Sequence, residues 1–337
     1  MIKEAIYYEK LEDNKVKCLL CPKGCIIAVG KIGFCRARIN QGGKLYSKIY
    51  EECSSVAMDP IEKKPLYHFY PNSSILSLGT VGCNLECAFC QNWHISQSNE
   101  ASFPEAKTRK VSSQEAVKLA KEKKSIGIAY TYSEPVIWYE YVLETAKLAK
   151  EQGLTNVLVT NGSINPQPLL ELLPYIDALN IDIKSFEQSF YSKYCQGELA
   201  PVLNTAKLAK EKGKLVEVTN LIIPTLNDNP QIIQDLVNWI ATELGDDTPT
   251  HFSRYYPQYK MNLPPTEVTT LKKAYEIATS KLKYVYLGNI SDIATNTTYC
   301  PGCKKAVIVR EGYTLAEYKI KNGQCQYCQE VIYGVGM

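Results

Sequence analysis

From residue 75 onward, short runs of apolar, β-prone residues alternate with stretches whose apolar positions recur every three or four residues. The short runs predict strands at 75–80, 126–131, 157–160, 178–183, 216–223, 250–253 and 284–287. The stretches between them, about 10–15 residues each, predict amphipathic helices. In one, Val142, Ala146 and Ala149 share a face at i, i+4 and i+7, and Gly153 stops the helix. Strands alternating with helices predict a parallel sheet with right-handed crossovers. A faint repeat agrees: Lys-Leu-Ala-Lys-Glu occurs at 118–122, 147–151 and 207–211. The offsets of 29 and 60 residues are close to one and two βα units of about 30 residues. Six or seven such units predict an α/β fold, a partial or near-complete (β/α) barrel of the TIM type.

The pattern divides the chain into three domains: an N-terminal cap at 1–70, the barrel at 71–292 and a C-terminal ribbon at 293–337. Gly42-Gly43 marks a turn within the cap. Between cap and barrel, Pro60, Pro65 and Pro71 exclude a regular helix and favour extended backbone.

Of 337 residues, 45% are hydrophobic and 22% charged, which excludes a largely disordered chain. The net charge of +3 is too even for a nucleic-acid partner, where a concentrated basic face is expected. No apolar run approaches the roughly 20 residues of a membrane span. The start, Met1 to Lys10, lacks the apolar core of a signal peptide. The expectation is a soluble, cytoplasmic protein with no membrane partner. Motifs of the form G-x-G-x-x-G, G-x-x-x-x-G-K-[ST] and H-E-x-x-H are absent, so dinucleotide, P-loop and zinc-protease readings have no carrier.

The 13 cysteines change the picture. In a reducing compartment so many thiols point to metal ligation rather than disulfides, and an odd number cannot all pair. Cys300, Cys303, Cys325 and Cys328 form two C-x-x-C knuckles with short β-prone runs between them. That spacing predicts a zinc ribbon, a closed structural site. Cys18, Cys21, Cys25 and Cys35 again offer four thiolates, with Gly24, Gly30 and Gly33 supplying permissive backbone. Zinc and an iron–sulfur cluster both accept four thiolates; the reading favours zinc, because no known cluster-binding run is matched.

Cys83, Cys87 and Cys90 differ in being three. Three thiolates hold three corners of a four-iron cluster and leave one iron open, and an open position marks a catalytic metal site. The remaining pair, Cys53 and Cys195, read as small buried hydrophobes. The alternative makes one of them a fourth ligand, turning the centre into an electron-transfer cluster.

Cys83-x3-Cys87-x2-Cys90 after a glycine-containing strand resembles the cluster loop of radical S-adenosylmethionine (SAM) enzymes, with Phe89 at their usual aromatic position. Thr131-Tyr132-Ser133-Glu134-Pro135 resembles their Gly-Gly-Glu-Pro strand end. Residues 159–162 and 180–184 resemble the third and fourth strand ends of the pyruvate formate-lyase activating enzyme group, and His251 matches a histidine near SAM there. The segment from Asp59 to Phe69 and the run Cys90-Gln91-Asn92-Trp93 resemble the AmmeMemoRadiSam system enzymes. The N-terminal cysteines and the ribbon are similar to that family too.

The resemblance implies a [4Fe-4S] cluster on Cys83, Cys87 and Cys90, with SAM chelating the open iron. Reductive cleavage of SAM then yields methionine and a 5′-deoxyadenosyl radical for hydrogen abstraction from a substrate that the resemblance does not supply. It implies that Thr131 to Pro135, with Tyr132, Ser133 and Glu134 among them, hold the methionine amine. Asn161, Asp182, Lys184 and His251 are implied to address the ribose or carboxylate. Implied partners are an electron donor such as ferredoxin or flavodoxin, and AMMECR-type and Memo-type proteins. Two departures stand out: Tyr132-Ser133 replaces a double glycine, and Val159 replaces an acid, leaving Asp182 alone to serve a cation beside the SAM carboxylate. Glu134 also reads as a plain cap on a helix starting at Pro135. Alternative functions are a glycyl-radical activase acting on a protein partner and a non-enzymatic iron–sulfur electron carrier.

Overall fold

A computed structural model describes residues 2–97 and 108–337. Eight strands form its central sheet: β1 (Ser55–Pro60), β2 (Ser74–Gly79), β3 (Gly127–Thr131), β4 (Thr155–Thr160), β5 (Ala178–Asp182), β6 (Leu215–Ile222), β7 (Thr250–Arg254) and β8 (Val285–Gly288). They lie in chain order, with β2 to β8 parallel to their neighbours. All seven strands expected from the apolar runs form, their ends moved by at most two residues. β1 is additional: it lies inside the stretch expected as cap and runs antiparallel to β2, Ser55 opposite Gly79 and Pro60 opposite Ser74. Among the described residues the edge strands β1 and β8 do not pair, so the sheet is open where a barrel closes.

Consecutive strand order puts right-handed crossovers on one face. That face carries α1 (Ser113–Glu122), α2 (Tyr139–Glu151), α3 (Pro166–Leu172), α4 (Leu199–Glu211), α5 (Pro230–Trp239) and α6 (Val268–Thr279). A capping box of Ser112 and Glu115 starts α1. Val142, Ala146 and Ala149 of α2 are fully buried, and Gly153 at φ +74° follows its end. The three copies of the repeat are the last turns of α1, α2 and α4.

The segment 61–70 plugs the other face. Ile61, Leu66 and Phe69 pack with Ile75, Ala129, Val157, Ala178 and Leu215, each buried apolar side chain contributing about 1.5–3 kcal/mol. Its polar groups meet polar groups of the sheet: Lys64 Nζ lies 2.7 Å from Asp59, the His68 N–H donates to Glu217 at 2.7 Å, and Asn180 donates to the Pro65 carbonyl at 2.8 Å. The prolines do exclude a long helix here, but residues 61–63 take one 3-10 turn instead of remaining extended.

Before Ser55 the chain builds two small antiparallel sheets, one of Lys3–Glu4, Lys44–Ser47 and Arg38–Gln41, the other of Tyr8–Lys10, Val16–Cys18 and Ile26–Ile27. Gly24 and Gly30 are left-handed as expected, whereas Gly33 is not. The ribbon, with β9 (Ala306–Glu311) and β10 (Thr314–Tyr318), docks through the buried Arg310. Arg310 donates to the Tyr67 carbonyl at 2.8 Å and lies 4.1 Å from the Tyr67 ring centre. Among the described residues no helix is long and apolar enough to cross a membrane.

Candidate active site

Beyond β2 the chain leaves the sheet as a loop bearing Cys83, Cys87 and Cys90. Backbone bonds pin it on three sides. Gly82 donates to the Ile95 carbonyl at 2.9 Å, Glu86 to Cys195 at 2.9 Å, Ala88 to Tyr194 at 2.8 Å, and Lys260 donates to the Ala88 carbonyl at 2.9 Å. The Glu86 carboxylate pairs with Lys260 at 2.7 Å and Arg36 at 3.5 Å. Phe89 is buried, its ring 5.7 Å from that of Phe190. Cys83 and Cys87 are buried, and the half-buried Cys90 has its sulfur 3.2 Å from the Ser96 hydroxyl. Burial raises the Cys83 and Cys90 pKa values, and for Cys87 the Cys195 side chain does so first, with burial second. Three neighbouring thiols held neutral in this way suit a centre whose metal removes their protons.

The ends of β3, β4 and β5 face this loop. Tyr132 and Ser133 have φ of +53° and +52°, so the two side chains keep the left-handed backbone a double glycine adopts freely. Their side chains are anchored. The Ser133 hydroxyl donates to the Thr80 carbonyl at 2.8 Å, and the Tyr132 hydroxyl donates to Asp59 at 2.7 Å. Thr131, at the end of β3, pairs in register with Gly79. Glu134 is 1% exposed and accepts from the Val136 N–H at 3.0 Å, the Thr160 hydroxyl at 2.6 Å and the Asn161 N–H at 2.8 Å. It is thus the cap of the turn from Pro135 and also a tie to β4. Burial pushes its carboxyl up to about 7 against those three bonds.

Asn161 donates to the Asn84 side chain at 2.9 Å, with its amide nitrogen 3.6 Å from the Cys83 sulfur. Asp182 pairs with Lys184 at 2.6 Å. Burial opposes the charge on Lys184, but Asp182 and Cys87 outweigh it and hold its pKa above the ordinary value. Thr131, Tyr132, Ser133, Glu134, Asn161, Asp182 and Lys184 therefore stand at adjoining strand ends around one cysteine loop.

His251 belongs to another buried network. Its Nε2 lies 2.7 Å from Glu217, and its ring meets Tyr67 edge-on at 4.8 Å. His68 completes the group, with Nδ1 2.5 Å from the Tyr333 carbonyl and Nε2 2.6 Å from the Tyr286 hydroxyl. A carbonyl only accepts, so Nδ1 carries a proton; burial lowers the ring's pKa to about 4, which favours its neutral form at neutral pH. His251 also lines a cavity of about 620 Å³ with Glu62, Lys63, Arg254, Tyr256 and Asp292. The loop after β7 joins this cavity to the cysteine loop: Tyr256 lines the one, while Tyr259 stacks on Trp93 at 5.5 Å beside the other.

Asn84 is the residue that sequence reasoning passed over. Asn84 sits inside the cysteine motif but carries no spacing signal. Cys195 is buried as expected, yet it adjoins Cys87, and only the fold reveals that. Cys53 is buried elsewhere, beside Tyr141. In the ribbon, the sulfurs of Cys300, Cys303, Cys325 and Cys328 all lie within 4.8 Å of one another. A single tetrahedral ion with metal–sulfur bonds of about 2.3 Å needs sulfurs about 3.8 Å apart, so these four can bind one metal ion.

A sequence profile described as the Radical SAM superfamily matches residues 77–240, from β2 through α5. The chain belongs to the radical SAM superfamily. This radical SAM protein is 45% identical over 335 residues to an uncharacterized protein of Methanocaldococcus jannaschii, covering 98% of this chain and 99% of that one. It is 25% identical over 172 residues to the pyruvate formate-lyase-activating enzyme of Listeria monocytogenes, covering 48% of this chain and 67% of the relative. The fold is similar to that of Streptococcus suis SuiB bound to S-adenosylmethionine, with a TM-score of 0.50 and 14% identity over 68% of this chain and 53% of SuiB. As a radical SAM enzyme, the chain is implied to use a [4Fe-4S] cluster and SAM. The donor set fits such a group: three neighbouring thiols in one loop, Cys83 and Cys87 buried and Cys90 half-buried.

Proposed function

We propose that this radical SAM enzyme holds a [4Fe-4S] cluster on Cys83, Cys87 and Cys90 and takes a hydrogen atom from its substrate. When bound, the cluster and SAM supply a 5′-deoxyadenosyl radical by one-electron cleavage of the sulfonium. The observation that carries the reading is the ring of polar strand ends around that three-cysteine loop. Each residue has its own task. The left-handed Tyr132-Ser133 backbone presents polar main-chain groups to the methionine amine, and Glu134 holds β3 against β4 by three accepted bonds. Asn161 braces the cysteine loop through Asn84. Lys184, paired with Asp182, supplies the positive charge beside the SAM carboxylate that a metal cation supplies elsewhere, which answers for the missing acid at Val159. His251 keeps Glu217 paired at the wall of the 620 Å³ cavity, which is a substrate-sized space.

The test is anaerobic: reconstitute the cluster, reduce it, add SAM, and measure 5′-deoxyadenosine and methionine. Both are expected from the native protein and neither from Cys87→Ala. Native protein that yields neither, with a spectrum unchanged by SAM, sinks the reading. A second reading, a glycyl-radical activase, is favoured by the similarity to the Listeria activating enzyme. It requires a glycyl radical signal in a partner protein after turnover. A ferredoxin or flavodoxin suits as electron donor in a reducing, cytoplasmic setting, where the thirteen unpaired cysteines are stable. AMMECR-type and Memo-type partners are tested by co-purification.

A further inference from the structure

Cys18 closes a strand, Cys21 and Cys25 follow in the next turn, and Cys35 comes back just before Arg38. All four line one tight cavity, together with Leu20, Ile27 and Arg38. Among the described residues, the only cysteine group whose sulfurs all lie within 4.8 Å of one another is the ribbon's. Neither the N-terminal four nor the Cys83 trio is gathered that closely. One tetrahedral ion draws its sulfurs to about 3.8 Å, whereas a cluster puts its own irons and sulfides between the ligands. A single zinc, as expected from the sequence, needs these sulfurs drawn closer together.

A second observation concerns Arg38. It is 1% exposed, and its terminal nitrogens pair with Glu140 at 2.9 and 3.0 Å. Its Nε is buried with no hydrogen-bond partner, on the wall of this cavity, where its charge interacts with Cys18 and Cys35. A buried N–H left unmade costs about 1–3 kcal/mol. Anionic sulfur in the cavity satisfies it, as donors to the sulfurs do around iron–sulfur centres.

A third observation is the neighbour. A Cβ at Gly82 would lie 2.5 Å from the Cys35 carbonyl, so the backbone before Cys83 presses directly on this site. Asn84 lines the same cavity beside Cys21. On its other side it meets Asn161 at 2.9 Å and the Cys83 sulfur at 4.0 Å.

We propose that Cys18, Cys21, Cys25 and Cys35 hold a second iron–sulfur cluster, packed against the loop of Cys83, Cys87 and Cys90. The site does not rest on the catalytic reading, because its test needs no SAM cleavage. The full chain carrying Cys83→Ala, Cys87→Ala and Cys90→Ala is reconstituted anaerobically, and iron, acid-labile sulfide and zinc are counted per chain. The variant is expected to keep about two to four irons with matching sulfide and a visible charge-transfer band. Retention of no iron, with a second zinc per chain instead, overturns the proposal. Cys21→Ser with Cys35→Ser should remove the same increment of iron from the native chain while the remaining cluster's EPR spectrum still responds to SAM. Reduced native protein should show broadening from spin coupling that both variants lose. A native spectrum that is the plain sum of the two variants' spectra overturns the placement beside the Cys83 loop.

Discussion

Ser133 sits at φ +52°, where a side chain costs about 1–2 kcal/mol. Its hydroxyl bond to Thr80 returns about 1 kcal/mol. Ser133→Gly therefore relieves strain and loses a bond in similar measure, and its unfolding free energy in urea should match the native value within about 0.5 kcal/mol. Ser133→Val keeps the strain, adds β-branching and loses the bond, so a loss of about 2–3 kcal/mol is expected in the same melts. His68 sets a pH dependence. Its folded pKa of about 4 lies below its ordinary 6.5, so as pH falls the unfolded chain takes the proton first. Its contribution is complete above about 6.5 and lost progressively towards about 4, by about 3 kcal/mol in all. The profile of His68→Gln should lack that acid-side slope; parallel profiles for the two proteins refute the assignment. Neither residue's role was legible beforehand. The Tyr132-Ser133 departure was visible in the sequence, but the hydroxyl and carboxylate that stabilise its backbone come from Thr80 and Asp59, 53 and 73 residues away.

Among the elements, the plug and the ribbon depend on each other. Tyr67 of the plug shares a buried cluster with Cys300, Val307, Ile308, Ile320 and Cys325 of the ribbon. Arg310 clasps both, bonding the Tyr67 carbonyl and, at 2.9 Å, the Thr298 hydroxyl. Arg310→Met keeps most of the volume but leaves those acceptors without their donor, and a loss of about 2–4 kcal/mol is expected by chemical denaturation. Cys303→Ser should release one metal ion per chain and lower the melting temperature by about 5 °C or more. Unchanged metal content would show that the knuckles do not bind it. The ribbon's ligands were legible because a knuckle is local, two cysteines on one turn. Its docking was not, because Arg310 and Tyr67 stand 243 residues apart. The segment from Asp59 to Phe69 was visible as a motif, and its work became clear only as a plug: apolar residues fill the base of the sheet while Lys64 and His68 meet buried acids.

For the whole molecule, an eight-stranded sheet in simple chain order gathers the strand ends at one rim, with the edges β1 and β8 unpaired beside a 620 Å³ cavity. That geometry predicts separable losses. Arg254→Ala, on the cavity wall, should leave SAM cleavage in the absence of substrate within about threefold of native, whereas Cys87→Ala should reduce it to background. Equal loss in both would mean that the cavity wall supports the cofactor rather than a substrate. The openness itself was beyond the sequence pattern, since β1 is a short antiparallel strand ending in proline with no apolar run to announce it.

What the sequence determined by itself was whatever depends on near neighbours: seven strands, because a strand buried on both faces must be continuously apolar, and the partition of the cysteines into four, three and four. Tertiary structure decided the chemistry that depends on distance between groups. It brought Asn84 between Cys21 and Cys83, Cys195 against Cys87, and Arg38 beside the N-terminal thiols. It also gathered the ribbon's four sulfurs within 4.8 Å of one another, close enough to grip one ion. Ligand spacing along a chain limits which sulfurs can meet; the packing around them sets how far apart they come to rest.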